Sequence, residues 1–481
     1  MLPRGSHPAC AARYPCAMPP PHLRRALAEA ILADVIAACD PSRRVRDALA
    51  SPAIAARLAG RRRLGLAVGK AALAMARGAG PVADGLAIVP AGGAGDVPPG
   101  WHLLEASHPV PDARSLAAGA ALLALVRRAA PGDIDLALLS GGASALAELP
   151  AIAAEPREEP GVIDSPGDPT VTGAPDVATS TAFAELVATV RKVMAAGAPI
   201  DEINAVRGAL SAIKAGRLAL ASAAPVITLA VSDVIGDPLA VIGSGPTIGP
   251  WLASPGVEVD DGSAAIGRRA RSVLTRLDIP PPPSLDHEPP PRRVVRNDHA
   301  EVIAPMASAA RAAIAALASR GVAARLIESP VSGDVEDVAA QLVAAIGAAP
   351  VGAGEGPADA GPADAGPIVA WGEPTVRVPP AAGAGGRSQQ LALLLARHLR
   401  GTEHAAFVVG TDGIDGPPPP DRPSPAGAYV DGATWDAIVA AGTDPAAALA
   451  ACDAGTALAA VGALLVIGPT GINHADLIFI S

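Results

Sequence analysis

The chain has 481 residues, half of them apolar but only 2% aromatic, and carries a formal net charge of −10. That length accommodates two or more domains with cores built from Ala, Val, Leu and Ile, and the acidic balance disfavours nucleic acid or an anionic membrane as a partner. Four cysteines without metal-ligand spacing, Cys10, Cys16, Cys39 and Cys452, argue against a disulfide scaffold and fit a reduced, cytoplasmic compartment.

Residues 1–22 read as a disordered leader, too interrupted by Arg and Pro for a signal peptide, with Met18 a second candidate start. An amphipathic helix is predicted from His22 to Ala38. Strand-like and helix-like runs then alternate: strand Leu64–Val68, helix Lys70–Arg77, strand Gly85–Val89, helix Leu116–Arg128, strand Ile134–Leu139, helices Ala182–Ala196 and Asp201–Ala221, strand Val226–Val231. Such alternation implies a mostly parallel sheet covered on both faces. Residues 155–179 and 348–366 read as disordered insertions, and 280–291 as a Pro-rich linker. Beyond it, Arg293–Arg296, Ala323–Ile327, Ile368–Trp371, Ala406–Val409, Ala463–Ile467 and Leu477–Ile480 are strand candidates of a second α/β domain. The apolar stretch Ala446–Gly468 contains Asp453 and several glycines, so it reads as helix then strand, not a membrane span.

Lysine is scarce. Only Lys70, Lys192 and Lys214 accompany 34 arginines, and two of the three lie in segments suited to chemistry. An ammonium is a compact, rotatable charge where arginine offers a planar fork. Lys70 follows Gly69 at a strand end, where an anion would offset the helix dipole. Ser140-Gly141-Gly142-Ala143-Ser144 closes another strand and is either an anion cradle or a tight turn. Asn204, Arg207, Ser211 and Lys214 fall on one stripe of the predicted helix, beside an apolar stripe, and line either a cleft or a solvated flank. Asp233 and Asp237 follow the strand Val226–Val231, where two carboxylates suit Mg²⁺, and Gly243-Ser244-Gly245 comes soon after. Gly385-Gly386-Arg387 opens a helix and offers an arginine fork. Asp412 and Asp415 follow the strand Ala406–Val409. Together these describe a cleft with anion cradles, a Lys, an Arg and paired Asp residues, as phosphoryl transfer requires.

In this order the segments resemble the class II glycerate kinases, the glycerate 2-kinases whose C-terminal region is the MOFRL domain. The resemblance rests on Gly69-Lys-Ala-Ala, His108-Pro-Val-Pro-Asp112, Ser140-Gly-Gly-Ala-Ser144, Ile203-Asn-Ala-Val-Arg207, Leu210-Ser-Ala-Ile-Lys214, Ser232-Asp-Val-Ile-Gly-Asp237, Ile242-Gly-Ser-Gly-Pro-Thr247, Gly385-Gly-Arg-Ser-Gln389, Gly410-Thr-Asp-Gly-Ile-Asp-Gly416 and Gly471-Ile-Asn473. It covers roughly Leu23 to Ile480 apart from the insertions.

The resemblance implies a Rossmann-like N-terminal domain with a parallel sheet (23–279), a smaller α/β C-terminal MOFRL domain (292–481) and an active site in the interdomain cleft. It implies ATP- and Mg²⁺-dependent phosphorylation of D-glycerate on its 2-hydroxyl, with a homodimer admissible. Lys70 and Arg387 match the family's suspected catalytic pair. Ser140, Gly141, Gly142, Ser144, Gly243, Gly245, Gly385 and Gly386 are then candidates for nucleotide phosphates. His108, Asp112, Asn204, Arg207 and Lys214 are candidates for the substrate, and Asp233, Asp237 and Asp412 for the metal. Ala143, Pro374, Ser388, Ile472 and His474 depart from the family pattern. An NAD(P)H-dependent hydroxypyruvate reductase is the rival reading, but the one formal dinucleotide match, Gly78-Ala-Gly80-Pro-Val-Ala83, follows a helix and contains Pro81. A non-catalytic family member is the other.

Overall fold

The structure, a computed structural model, describes residues 24–93, 95–154, 177–249, 263–286, 297–346 and 366–481. Its first sheet is built from β1 (Arg63–Val68), β2 (Asp84–Pro90), β3 (Trp101–Ala106), β4 (Ile134–Leu139), β5 (Val226–Val231) and β6 (Asn297–Ala304). The order is β3-β2-β1-β4-β5-β6, and every neighbouring pair is parallel. β4 and β5 are buried along their whole length, which is why their sequences run apolar without alternation. Alternate residues still serve opposite faces. Leu64, Leu66 and Val68 of β1 pack toward the helix Ala113–Arg127, whereas Ala67 packs toward the helix Ala72–Ala79. From β1 the chain winds outward through β2 to β3, then returns to β4 and winds the other way. The winding direction therefore switches between β1 and β4, and ligands in such sheets gather at the carboxyl ends of the strands at that switch point.

The second sheet is mixed. It contains β7 (Arg325–Leu326), β8 (Val331–Asp334), β9 (Ile368–Thr375), β10 (Ala405–Gly410), β11 (Gly427–Asp431), β12 (Leu464–Leu465) and β13 (Asp476–Ile480). The order is β12-β11-β10-β13-β9-β7, with β8 also paired to β9. β13 runs antiparallel between β9 and β10, so Asp476 at its start lies beside Gly372 and Gly410 near their ends. One face packs on the helix Arg387–Leu399. On the other, Phe407 meets Phe479 edge to face at 5.7 Å between ring centroids.

Two expectations about organisation are corrected. β6 pairs with β5, so the first sheet continues beyond the expected linker at 280–291. The helix Arg25–Ala38, expected in the N-terminal domain, buries Ile31, Leu32 and Val35 against the helix Ser308–Ala318 and the second sheet. The two lobes thus exchange their ends, because each exchanged element has an apolar face that only the other lobe covers. The helix expected over Asp201–Ala221 runs from Ile200 to Leu210, with Pro199 rather than Asp201 at its N-cap, and a short turn follows at Arg217–Leu220. The leader, the strand expected at Arg293–Arg296 and nearly all of both insertions lie outside the described residues, although Val177–Thr179 begin the helix Val177–Ala195. Among the described residues no helix is long and apolar enough to cross a membrane.

Candidate active site between the two sheets

At the switch point the turns after β1 and β4 are locked together. The Lys70 N–H donates to the Gly141 carbonyl at 2.8 Å, and the Ala71 N–H donates to Ser140 Oγ at 3.0 Å. Gly69 is required here: its φ is +134°, and a Cβ would lie 2.1 Å from Ser140 Oγ. The lock leaves the Lys70 side chain only partly covered, beside Gly142 and His108. Burial, and then the charge of Lys70, lower the pKa of His108.

The second lobe meets these turns directly. Lys70 Nζ lies 4.0 Å from Asp412 Oδ2, and Asn473 Nδ2 donates to Asp233 Oδ2 at 3.1 Å. Gly141 sits against that bond, since a Cβ on it would lie 1.9 Å from Asp233 Oδ2 and 3.0 Å from Asn473 Nδ2. Burial pushes the Asp233 carboxyl up, and Lys70 opposes the shift.

A cleft of about 400 Å³ lies between the lobes, lined by Lys70 and Asp233 from the first and by Glu373, Gly386, Arg387, Asp412, Asp415, Asn473 and Asp476 from the second. Arg387 is gripped by acids: Nε and Nη2 reach the two oxygens of Asp476 at 2.8 and 3.2 Å, and Nη1 reaches Glu373 at 2.7 Å. Burial disfavours its charge, but the hydrogen bonds and charge of Asp476, with Glu373, hold the guanidinium above its usual pKa. Burial pushes Asp476 up, against the pull of the same fork. The apolar side chains of Val376, Val378 and Ile414 complete the rim.

Behind the Ser140–Ser144 turn lies a buried polar cluster. Lys214 is 1% exposed and donates from Nζ to the Ala143 carbonyl at 3.0 Å. Glu148, fully buried, accepts from Ser211 Oγ at 2.5 Å and from the Leu149 N–H at 3.1 Å. Arg207 Nη1 donates to Ser244 Oγ at 3.0 Å, Ser244 bonds Asn204 Oδ1 at 2.9 Å, and the hydroxyls of Ser144 and Ser244 are 2.8 Å apart. Burial lowers Lys214 to about 8, with Glu148 opposing and Arg207 adding to the shift; burial likewise raises Glu148 and lowers Arg207.

Lys70, Arg387, Asp233, Asp412 and Gly386 therefore line one cleft, with Gly141, Gly142 and His108 adjoining it. Ser144, Asn204 and Arg207 gather around Ser244 instead. The remaining expected residues have other partners in the structure. Ser140 Oγ accepts the Ala71 N–H at 3.0 Å, which leaves its O–H able to donate. Asp112 is the N-cap of the helix Ala113–Arg127, in a capping box with Ser115. Asp237 turns away and accepts the Met306 N–H at 2.9 Å. Lys214 is a buried strut, not a cleft residue. Gly243 and Gly245 have φ of +61° and +57° and serve close packing, Gly243 against Ala143 and Gly245 against the carbonyls of Ile248 and Ala240.

The helix opened by Gly385 and Gly386 has two of its first-turn N–H groups already taken. Asp415 accepts those of Ser388 and Gln389 at 3.1 and 2.8 Å, capping the helix from a loop 26 residues away. Gly386 is needed because a Cβ would meet Asp415 at 2.3 Å, and Gly385 because it abuts Gly455. Sequence reasoning paired Asp415 with Asp412 as carboxylates after a strand, but assigned no site role to Glu373, Asn473 or Asp476. Asp415 and Asn473 do fall inside segments quoted for the resemblance, whereas Asp476 opens an ordinary apolar strand and carries no signal.

Comparison with known proteins gives this geometry a class. Models of a domain of unknown function (DUF4147) and of the MOFRL family match residues 27–160 with 174–253 and residues 367–476, respectively. The crystal structure of glycerate kinase from Thermotoga maritima superposes with a TM-score of 0.73 at 29% identity, covering 95% of this chain and 98% of that one. A D-glycerate 2-kinase from Thermotoga maritima is 31% identical over 86% of this chain and 89% of its own length. A relative from Agrobacterium vitis, 34% identical over 78% of this chain and 76% of its own, carries a provisional hydroxypyruvate reductase name. The protein is an enzyme of the kinase class. The chain belongs to the MOFRL family of glycerate 2-kinases.

Proposed function

We propose that this protein transfers the γ-phosphoryl group of ATP to the 2-hydroxyl of D-glycerate, giving 2-phospho-D-glycerate and ADP, with Mg²⁺ required. The observation that carries this reading is the meeting of Lys70 and Arg387, from different sheets, in a single cleft with Asp233 and Asp412. Two cations on opposing lobes can converge on a transferring phosphoryl group, where catalysis is mainly positioning and charge stabilisation.

The charge of the cleft supports a metal-bound nucleotide. Lys70 and Arg387 face five carboxylates, those of Asp233, Glu373, Asp412, Asp415 and Asp476, so a bare triphosphate would enter an acidic cavity. Asp233 and Asp412 are hard oxygen donors of the kind Mg²⁺ prefers. Among the described residues no group of three or more His, Cys, Asp or Glu side chains is arranged to hold a metal alone. That suits an ion which arrives with the nucleotide and keeps phosphate and water ligands. Bound there, Mg²⁺ would neutralise charge on the phosphates. Lys70 would do the same from the first lobe, and Arg387 from the second if a phosphate displaces Glu373.

The N–H groups of Gly141, Gly142 and Ser144 are the proposed phosphate contacts. Asn204 and Arg207, with Ser144 and Ser244, are proposed for the glycerate carboxylate. Arg207→Ala should raise the KM for glycerate more than tenfold, by roughly the 1.5–3 kcal/mol of a charged hydrogen bond; an unchanged KM would remove it from the acceptor site. ATP consumption with D-glycerate, with and without Mg²⁺, tests the reaction itself. The Agrobacterium vitis name favours NAD(P)H oxidation with hydroxypyruvate as the second reading, but the turn after β1 reads Gly69-Lys70-Ala71 and lacks the later glycines of a dinucleotide fingerprint.

A further inference from the structure

The buried cluster behind the Ser140–Ser144 turn has a design that charge balance does not explain. Ala143 opens a helix that ends at Leu146, so its carbonyl finds no partner a turn later. Lys214 supplies one at 3.0 Å, from a segment that sequence periodicity places on a helix. The residues flanking Lys214 are themselves pinned: the Ala215 and Gly216 N–H groups donate to the carbonyls of Ser244 and Gly245. Glu148 faces both Lys214 and Arg207, and its Oε2 has no hydrogen-bond partner, lying 4.0 Å from Arg207 Nε. A single buried carboxylate thus faces two cations. One holds the backbone of the turn, and the other holds Ser244, which meets the Ser144 side chain.

We propose that Lys214 and Glu148 are positioning residues for phosphoryl transfer: the buried ammonium holds the Ala143 carbonyl, and so fixes the orientation of the turn that carries Gly141, Gly142 and Ser144, with Glu148 as its counter-charge. The physical step is short. A trans peptide places C=O and N–H on opposite sides, so an ammonium fixed on the Ala143 carbonyl directs the Ser144 N–H away from the buried side. No backbone acceptor takes the N–H groups of Gly141, Gly142 or Ser144 among the described residues. The inference rests on the kinase reading above, which gives those groups a phosphate to meet.

The test compares wild type, Lys214→Met, Glu148→Gln and the double variant, using the full chain. Each is assayed with D-glycerate and MgATP, and its melting temperature is measured with and without MgADP. Lys214→Met leaves Glu148 opposite Arg207 alone and the Ala143 carbonyl without its donor, whereas Glu148→Gln leaves two buried cations without their counter-charge, so Glu148→Gln loses stability as well as activity. The double variant removes Lys214 and Glu148 at nearly constant volume and leaves Arg207 as the one charge of the cluster. Its melting temperature should recover only part of the loss seen in Glu148→Gln, because Arg207 stays without its counter-charge, while in both Lys214→Met and the double variant kcat stays reduced at least about tenfold and the stabilisation by MgADP is diminished. Recovery of kcat to within about threefold together with an undiminished MgADP shift would overturn the proposal, because the pair would then serve charge balance alone. A wild type that neither turns over glycerate nor responds to MgADP would instead overturn the kinase reading, and this proposal with it. A wild type that responds to MgADP without turning over glycerate leaves the MgADP comparison to decide.

Discussion

Gly141 is where the geometry can be tested most sharply. It touches both halves of the contact between the lobes, and its backbone is not in the positive-φ region, so alanine is tolerated by the chain itself. A methyl group there would lie 1.9 Å from Asp233 Oδ2 and 2.6 Å from its Cγ. The carboxylate must then retreat by roughly 1.5 Å to reach ordinary contact distance, and Asn473 Nδ2, at 3.0 Å from the methyl, cannot follow it closely. A displacement of about 1 Å in a positioned group costs on the order of a hundredfold in rate, equivalent to about 2.7 kcal/mol of barrier. The fold should survive, because the Asp233 side chain can swing into the cleft. Gly141→Ala should therefore melt within about 4 °C of wild type and show kcat reduced about a hundredfold at saturating D-glycerate and MgATP. Turnover within about threefold of wild type in a folded variant would refute the claim that Asp233 is held in place for catalysis.

Other outcomes follow from the same geometry. Lys70→Ala should lower kcat by about three orders of magnitude with little change in melting temperature; equal loss of both would make Lys70 structural. Arg387→Lys keeps the charge but cannot span both oxygens of Asp476, so it should lose about a hundredfold in kcat and also some stability, read by kinetics and thermal melting. Asp135, buried in β4, has its carboxyl pushed up to about 7 by burial, with Asp133 adding to the shift. The native state then holds its proton more tightly than the unfolded chain, so stability falls as pH rises from about 4 through 7 and levels off above that, a cost on the order of 4 kcal/mol. Asp135→Asn should flatten this slope in melting curves between pH 5 and 8, and an unchanged slope would contradict the assignment.

Sequence reading succeeded where local composition decides the structure. β4 and β5 were legible residue for residue because strands buried on both faces leave an uninterrupted apolar run. The placement of Lys70 and Arg387 at turns beside the cleft was legible because each follows a glycine that borders an element. The reading missed what distant residues decide. The helix ending at Leu210 has a periodicity that continues to Lys214, but Arg217 reaches back to the carbonyls of Gly208 and Ser211 and Lys214 turns inward to Ala143. The Gly385–Gly386 turn has the sequence of an anion site, but Asp415 already caps its helix. Asp112 sits in a segment quoted for the resemblance, but its local role as a helix cap accounts for it. The exchange of β6 and the helix Arg25–Ala38 between lobes could not be read locally, because an apolar face does not state which neighbour will cover it.

The most direct test of the central claim is to incubate the purified protein with D-glycerate, ATP and Mg²⁺ and to detect product with enolase alone, which consumes the 2-phosphate and ignores the 3-phosphate. The enolase signal should require Mg²⁺ and vanish in Lys70→Ala. ATP consumption without an enolase signal would contradict the assigned hydroxyl or acceptor, and no ATP consumption at all would contradict the proposed reaction.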